Sequence, residues 1–215
     1  MKRYPVPAEE ISRETLVVNS RFIAALAPVF SVEEARAFIQ RIKTRYADAS
    51  HHVPVYLVGY GESVTAHCSD AGEPSGTAGR PALAVLQGSG LGDVAVVITR
   101  YFGGTKLGTG GLVRAYSDAV RSVVSTVRRA ERVPTHTIML EIPYPLLERV
   151  RRLVTAQQGQ LLDEDFTANV VVTARFPVEH LPGFQAALSE LSNGSAQVEV
   201  IESGEVLIPL PVQGT

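Results

Sequence analysis

The segment TRYFGGTKLGTGGLVRAYS, which runs from Thr99 to Ser117, places five glycines among basic and hydroxyl-bearing residues. Glycine allows the backbone to approach a ligand closely, and successive amides in glycine-rich turns can form an anion-binding concavity. A helix that begins in the segment adds free N–H groups and a partial positive charge. The pattern predicts anion binding; the alternative is that the glycines only permit a tight turn and close helix–strand packing.

The residues predicted to bind an anion or a nucleic acid are the glycines and the hydroxyl of this segment together with nearby basic residues. They are Arg80, Arg100, Gly103, Gly104, Lys106, Gly108, Thr109, Gly110, Gly111, Arg114 and Arg121. Two well-known phosphate loops do not fit, because Lys106 comes before Gly108 rather than after a glycine, and the third glycine of the dinucleotide fingerprint is replaced by Val113.

A second glycine-rich segment, SDAGEPSGTAGRP over 69–81, predicts another loop that leads into a helix. Its polar residues form a predicted polar pocket: Asp70, Glu73, Ser75 and Thr77. The two carboxylates could hold a cation, or they could orient Arg80 and Arg100. The alternative is helix capping by Ser75 or Thr77, with the carboxylates in solvent.

Catalysis has weaker support in the sequence. Cys68 lies next to His67, and His51 and His52 come earlier, but neighbouring strand residues point to opposite faces. Neither the C-x-x-C nor the H-E-x-x-H spacing of zinc sites is present, and Ser75 does not lie in a G-x-S-x-G elbow. We therefore predict no catalytic residue, no metal and no cofactor, and favour a binding protein over an enzyme.

Composition predicts a soluble cytoplasmic protein. The 215 residues are 45% hydrophobic, enough for a core, and the single cysteine excludes an internal disulfide. No apolar run reaches the ~18 residues of a membrane helix, and the first residues lack the apolar region of a signal peptide.

The charge is divided unevenly between two predicted domains, 1–132 and 133–215. The first carries sixteen Lys and Arg against twelve Asp and Glu, and the second carries four against ten, which gives +4 and −6 within the net −2. The predicted boundary lies near Arg132, where Pro134 interrupts a helical pattern. A basic half joined to an acidic half predicts different partners for the two domains.

The first half is predicted to mix α and β structure. Ser31 and Glu34 have the spacing of a capping box, and the helix after them would bury Ala35, Phe38, Ile39 and Ile42. The other predicted elements are strands over 15–29, 52–60 and 94–101, and a helix over 111–130.

The predicted 111–130 helix has two distinct stripes. Its valines form an apolar stripe facing the core: Val120, Val123, Val124 and Val127. Arg114, Arg121 and Arg128 recur every seven residues on another face, which is either a binding surface or an ordinary solvated face.

The second half predicts the order βαββαβ, which is typical of ferredoxin-like domains. The elements are strands over 135–142, 160–162, 168–176 and 197–201 and helices over 145–158 and 180–191. This acidic domain shows no metal, nucleotide or catalytic pattern, so packing, dimerisation or contact with a protein partner is its predicted role. An exposed sheet edge could also support a dimer.

The two glycine-rich segments, together with SRFI from Ser20 and SHH from Ser50, resemble the YigZ/IMPACT family over nearly the whole chain. The resemblance implies a ribosomal-protein-like α/β domain, as in domain IV of elongation factor G, followed by a ferredoxin-like domain. This chain departs from the family pattern at Ala71, where a second Asp is usual, and at Val53, where Cys is usual. Ala71 weakens the case for a cation site.

The resemblance also implies a link to translation. Eukaryotic IMPACT proteins regulate translation by competing for an activator of the kinase that phosphorylates an initiation factor, and bacterial members look like translation-associated or nucleic-acid-binding proteins. We therefore predict a protein that contacts RNA or the ribosome through its basic glycine-rich surface. The alternative is a binding protein or enzyme for a small phosphorylated or carboxylated ligand that uses the same loops.

Overall fold

The computed structural model describes residues 4–211, which form two compact units. One unit is Arg132–Leu207, and the rest of the described chain forms the other. The division falls one residue from the predicted boundary. The segment that follows Leu207 belongs to the first unit, although the sequence predicted it in the second.

The first unit is a sheet with helices on both faces. Its elements are β1 (Pro5–Pro7), β2 (Ile11–Val17), β3 (Ser20–Pro28), α1 (Val32–Arg45), β4 (His51–Val58), β5 (Thr65–Cys68), α2 (Gly79–Gly88), β6 (Val94–Tyr101) and α3 (Gly108–Val124). The main sheet has the antiparallel order β2-β3-β6-β4-β5. β1 pairs separately with residues 129–131.

The central strand β6 explains why both faces are covered, because its first five side chains, Val94 to Ile98, are all apolar and buried. Val94, Val96 and Ile98 pack with α2 and α3, whereas Ala95 and Val97 pack with α1 on the other face. This alternation follows from the two-residue period of a strand. Helices α2 and α3 therefore share one face of the sheet, and α1 lies alone on the other.

The predicted cap at the start of α1 is present in altered form. The Glu34 amide donates to Ser31 Oγ at 3.0 Å, as a capping box requires. The Glu34 carboxylate, however, accepts from the amide of Phe30 at 2.9 Å, one residue before the position expected of a capping box. Of the predicted apolar face, Ala35, Phe38 and Ile42 are buried.

Two predicted elements of the first unit were wrong. The apolar run 15–29 is a hairpin rather than one strand, because the chain turns at Val18, which has a φ of 55°. The helix predicted to reach residue 130 ends at Val124. Val127 is buried at the spacing expected of a helix, although it lies after the last residue of α3. The valine spacing therefore predicted a longer helix than the one observed.

The second unit has the predicted element order. Its elements are β7 (Arg129–Ile142), α4 (Leu147–Ala156), β8 (Gln160–Phe166), β9 (Val170–Pro177), α5 (Leu181–Ser192) and β10 (Val198–Pro209), and its strands are ordered β10-β7-β9-β8. Residues from α4 and α5 join β7 and β9 in one core. Pro134 lies inside β7 rather than after a helix, and β8 pairs with β9 along one side only.

Across residues 4–211, no helix combines the length and the apolar character that crossing a lipid bilayer demands.

Candidate functional site

Both glycine-rich segments meet at one end of the main sheet. β3 begins there with Ser20, β4 begins there with His51, and β6 reaches it at Arg100, which lies opposite His51. The loop between β5 and α2 carries Glu73 to this end, and the loop between β6 and α3 leads away from it. Ser20 and Arg100, which are 80 positions apart in the chain, are therefore in direct contact.

An ion pair lies at the centre of this region. Arg100 Nη1 donates to Glu73 Oε1 at 2.6 Å, and the hydroxyl of Tyr116 donates to the same oxygen at 2.7 Å. Arg100 Nη2 donates to Ser20 Oγ at 3.2 Å. The side chains of Glu73 and Arg100 are only 3% and 5% exposed. We call Ser20, Glu73, Arg100 and Tyr116 the Glu73 cluster.

Tyr116 serves this cluster as a neutral donor. Burial raises the pKa of Tyr116 far above its ordinary value, and the hydrogen bond to Glu73 raises it further. The phenol thus keeps its proton at any pH at which the protein is studied. His51 approaches from the partly exposed side, with Nε2 3.8 Å from Glu73 Oε1 and Nδ1 3.0 Å from the carbonyl of Ala71.

The cluster corrects the role predicted for Arg100. The sequence placed it among the anion-binding residues, but its guanidinium is buried and already bound to Glu73. The second alternative for Glu73, that it orients Arg100, agrees with this geometry. Thr77 is buried as well, and its hydroxyl donates to the carbonyl of Pro74 at 2.6 Å, whereas Ser75 is exposed.

The Asp70 side chain caps the start of α2, although it lies nine residues before Gly79 in the sequence. Its carboxylate accepts from the amides of Gly76 at 2.8 Å, Ala78 at 3.1 Å and Gly79 at 2.8 Å. These include the first amides of a helix that has no side-chain cap at Ala78. Burial raises the pKa of Asp70, but the three amides and the charge of Arg80 outweigh burial, so the pKa lies below its ordinary 3.8.

We expect Asp70→Ala to lower the free energy of unfolding by about 1–2 kcal/mol at neutral pH, because three amides lose their acceptor. Since the pKa of Asp70 is lower in the folded chain than in the unfolded chain, its stabilisation is complete above pH 3.8 and is lost as the pH falls through the folded value. The stability difference between wild type and Asp70→Asn should therefore narrow on acidification. Denaturant unfolding across a pH series measures both effects.

Ser75→Ala is the matched control, because Ser75 was one of the two capping residues in the alternative interpretation of the sequence and is exposed in the same loop. A change within about 0.5 kcal/mol is expected for it. A larger loss for Ser75→Ala than for Asp70→Ala would contradict this description of the loop.

The five glycines of the second segment differ in their surroundings. A Cβ on Gly103 would lie 1.8 Å from the carbonyl oxygen of Asn19, so only glycine fits there. Gly104 and Gly108 have positive φ, and Gly110 has open space around it. Close packing therefore accounts for Gly103 and turn geometry for Gly104 and Gly108. A Cβ on Gly111 would lie 3.1 Å from Cβ of Leu107, which leaves only Gly110 of the five without a packing reason.

Exposed basic side chains surround the start of α3. Lys106 and Arg114 are exposed, as is Arg80 at the start of α2, and the first turn of α3 contains no acidic residue and no side-chain cap. Arg121 lies two turns after Arg114 on the same helix and pairs with Asp118 at 2.6 Å. We call Arg80, Lys106, Arg114 and Arg121 the basic surface. Arg128, predicted on the same helical face, lies beyond the helix and pairs with Glu9.

A groove of about 820 Å³ separates α2 from α3 next to the basic surface. Its lining combines apolar side chains such as Val85 and Val113 with Arg121 and Arg129. The groove is shallow and open to solvent, which suits an extended surface contact better than an enclosed small ligand.

His51, His52 and His67 each contact a different part of the chain. His52 bonds the carbonyl of Tyr46 at 2.9 Å, His51 bonds that of Ala71, and His67 stacks on Tyr56 with ring centroids 5.1 Å apart. Within residues 4–211, no three His, Cys, Asp or Glu side chains are grouped so that they could hold a metal ion.

Known proteins match both units of this chain. The model of the Impact N-terminal domain matches residues 18–124, which include the Glu73 cluster and the basic surface. The IMPACT family member YigZ of Escherichia coli K12 is 35% identical over 94% of this chain and 100% of its own length. The chain belongs to the IMPACT family.

This IMPACT protein has further relatives of the same organisation. An IMPACT family member of Haemophilus influenzae is 36% identical over 95% of this chain and 100% of its own length. The model of a domain of unknown function, DUF1949, matches residues 140–195. The resemblance seen in the glycine-rich segments is thus confirmed.

Solved structures also resemble this IMPACT protein. One described as a hypothetical protein is 34% identical, covers 94% of this chain and 98% of its own, and has a TM-score of 0.62. The mixed α/β, two-domain organisation is therefore confirmed. A two-domain translational regulator, Yih1, covers 57% of this chain and 47% of its own at 25% identity, but its TM-score of 0.35 is too low to support a conclusion on fold or function.

Proposed function

We propose that this IMPACT protein is translation-associated and contacts RNA, on the ribosome, through its basic surface. The observation that carries the proposal is the exposed set of Arg80, Lys106 and Arg114 near the starts of α2 and α3, neither of which has an acidic residue in its first turn. Backbone amides at such a start favour phosphate oxygens, and the glycines permit a phosphate to come close.

The chemistry of this surface favours the RNA backbone over the base edges. Lys and Arg side chains neutralise phosphates and release counterions, which makes binding depend steeply on salt. Contacts of this kind position a protein without reading sequence. The proposed role is therefore recognition of RNA shape and charge, as on a ribosomal surface.

Membership of the IMPACT family supports the translational context, because the eukaryotic proteins of this family regulate translation. We further propose that the first unit has the ribosomal-protein-like fold of domain IV of elongation factor G, and that the second is ferredoxin-like. The βαββαβ order and the strand order β10-β7-β9-β8 support the second assignment. A cytoplasmic location follows from this function.

The acidic second unit is proposed to contact a protein partner. In the part of the chain that the structure describes, its strand β8 pairs along one side only and carries exposed carboxylates at Asp163 and Asp165, while Glu164 is paired with Arg151. An acidic strand edge favours a basic segment as its partner, by charge and by the free backbone groups of the edge.

Lys106→Glu is expected to weaken RNA binding and to reduce the slope of log K against log salt by about 1, because one phosphate contact is lost. The measurement is co-sedimentation with ribosomes and titration of labelled RNA, each at several salt concentrations.

Lys43→Glu supplies the matched control, because Lys43 is exposed on α1, on the opposite face of the sheet. The two variants change the net charge equally, so a general electrostatic effect would weaken both. Equal losses, or unchanged binding for Lys106→Glu, would remove the basic surface from the proposal.

A small phosphorylated or carboxylated ligand is the second candidate, and the loops give it less support. Asp70, Glu73 and Thr77 are already bonded to groups of the chain itself. Saturable thermal stabilisation by such a compound, with no binding of RNA, would favour this candidate instead.

A further inference from the structure

One aromatic ring stands exposed at the end of β6. Phe102 has 47% of its surface exposed, and its amide donates to Ser50 Oγ at 3.1 Å. The guanidinium carbon of Arg100 lies 5.4 Å from the centroid of the Phe102 ring and also 5.4 Å from that of the buried Phe22. Phe102 thus contacts Arg100 and still presents part of its surface to solvent.

The contacts around Phe102 hold the ring in place. Arg100 donates hydrogen bonds to Glu73 and Ser20, so the group against the ring is itself held by two other side chains. The next residue, Gly103, packs directly against Asn19. An aromatic side chain that is already ordered loses little conformational entropy when a ligand stacks on it.

The neighbourhood of the ring matches a nucleic-acid base. Lys106 is exposed four residues further along the same loop, and the start of α3 follows at Gly108. Groups that attract phosphate therefore share one loop with a ring that can stack on a base. Single-stranded RNA is bound through this combination of basic groups and aromatic rings. Aromatic residues make up only 7% of the sequence, but one well-placed ring is sufficient for one base.

We propose that Phe102 stacks on an unpaired base of single-stranded RNA that is bound by the basic surface. This inference rests on the proposed function and specifies its ligand: a strand with at least one base free of pairing. Base-paired RNA would contact the basic surface through its phosphates alone.

The test uses the full chain and one short oligoribonucleotide, both single-stranded and annealed to its complement. Phe102→Leu keeps apolar cover over Arg100 but removes the flat ring, and it should weaken single-strand binding by about tenfold. Phe102→Tyr should bind within about twofold of wild type, because tyrosine also stacks. Neither change should alter duplex binding or the salt dependence, since no phosphate contact is lost.

The matched control is Phe166→Leu, which changes another exposed phenylalanine, 54% exposed, in the acidic unit. Its binding should equal that of wild type. Single-strand binding by Phe102→Leu at the wild-type level, or an equal loss for single strand and duplex, would overturn the inference while leaving RNA binding intact. Absence of salt-sensitive RNA binding by wild type would instead overturn the proposed function, and the inference with it.

A fluorescence experiment keeps the inference testable if Phe102→Leu does not fold. The sequence contains no tryptophan, so Phe102→Trp introduces a single tryptophan at the proposed stacking position, and this indole can be excited selectively over the seven tyrosines. Single-stranded RNA should quench its emission, whereas Phe166→Trp should show no change. Absence of quenching on saturation with RNA would contradict stacking at Phe102.

Discussion

Replacing Glu73 with alanine is expected to lower the free energy of unfolding by about 3–5 kcal/mol, because the change leaves the buried Arg100 charge without its partner. Tyr116 loses its acceptor in the same step. Chemical denaturation monitored by circular dichroism measures the loss. Glu73→Gln should lie between alanine and wild type, since the amide oxygen can still accept one hydrogen bond.

Glu10→Ala is the control that tests whether burial of the ion pair explains the large effect expected of Glu73→Ala. Glu10 pairs with Arg41 at 2.6 Å, the same distance as in the buried pair, but the two side chains are 34% and 49% exposed. Removing this partner should cost less than about 1 kcal/mol. Similar losses for the two variants would show that Glu73 does not stabilise the fold by compensating a buried charge.

The second large effect is expected at Gly103. Gly103→Ala places a methyl group 1.8 Å from the carbonyl oxygen of Asn19 and 2.0 Å from its carbon, both of them backbone atoms in a tight turn. Backbone atoms cannot rotate aside as a flexible side chain would, so the two loops must separate. We expect a loss of about 3 kcal/mol or more in the free energy of unfolding, at the upper end of overpacking effects.

Gly110→Ala, in the same segment, is expected to have the opposite effect on stability. Its added Cβ meets no atom within 4 Å, its φ is not positive, and it lies in the first turns of α3. Alanine is the better helix former, so this variant should be more stable by up to about 1 kcal/mol. If both glycine variants lose stability equally, then the close approach at Gly103 is not the reason for its sensitivity.

Local patterns predicted much of the fold correctly. The strand over 94–101 has the predicted bounds of β6, because its apolar run from Val94 to Ile98 fits a strand covered on both faces. Hydrophobic patterns gave wrong predictions where apolar residues continued past the end of a helix or through a turn. Val127 is buried beyond the end of α3, and the hairpin of β2 and β3 contains no Gly or Pro at its turn.

The candidate site was harder to predict because it depends on contacts between distant parts of the chain. The sequence suggested that Glu73 orients Arg100, but it could not show that their burial removes Arg100 from any ligand. Asp70 caps α2 from nine residues before its start, outside the spacing of local capping motifs. Phe102 was overlooked because composition counts aromatic residues without showing which of them is exposed.

The acidic residues of strand β8 affect how two copies of this protein interact. Among residues 4–211 it pairs with β9 on one side, and it carries the exposed carboxylates Asp163 and Asp165, whereas Glu164 is paired with Arg151. When two such edges approach, four exposed carboxylates meet, and their repulsion opposes the edge-to-edge pairing that begins aggregation. This repulsion makes the resistance of the protein to aggregation depend on the charge of this strand.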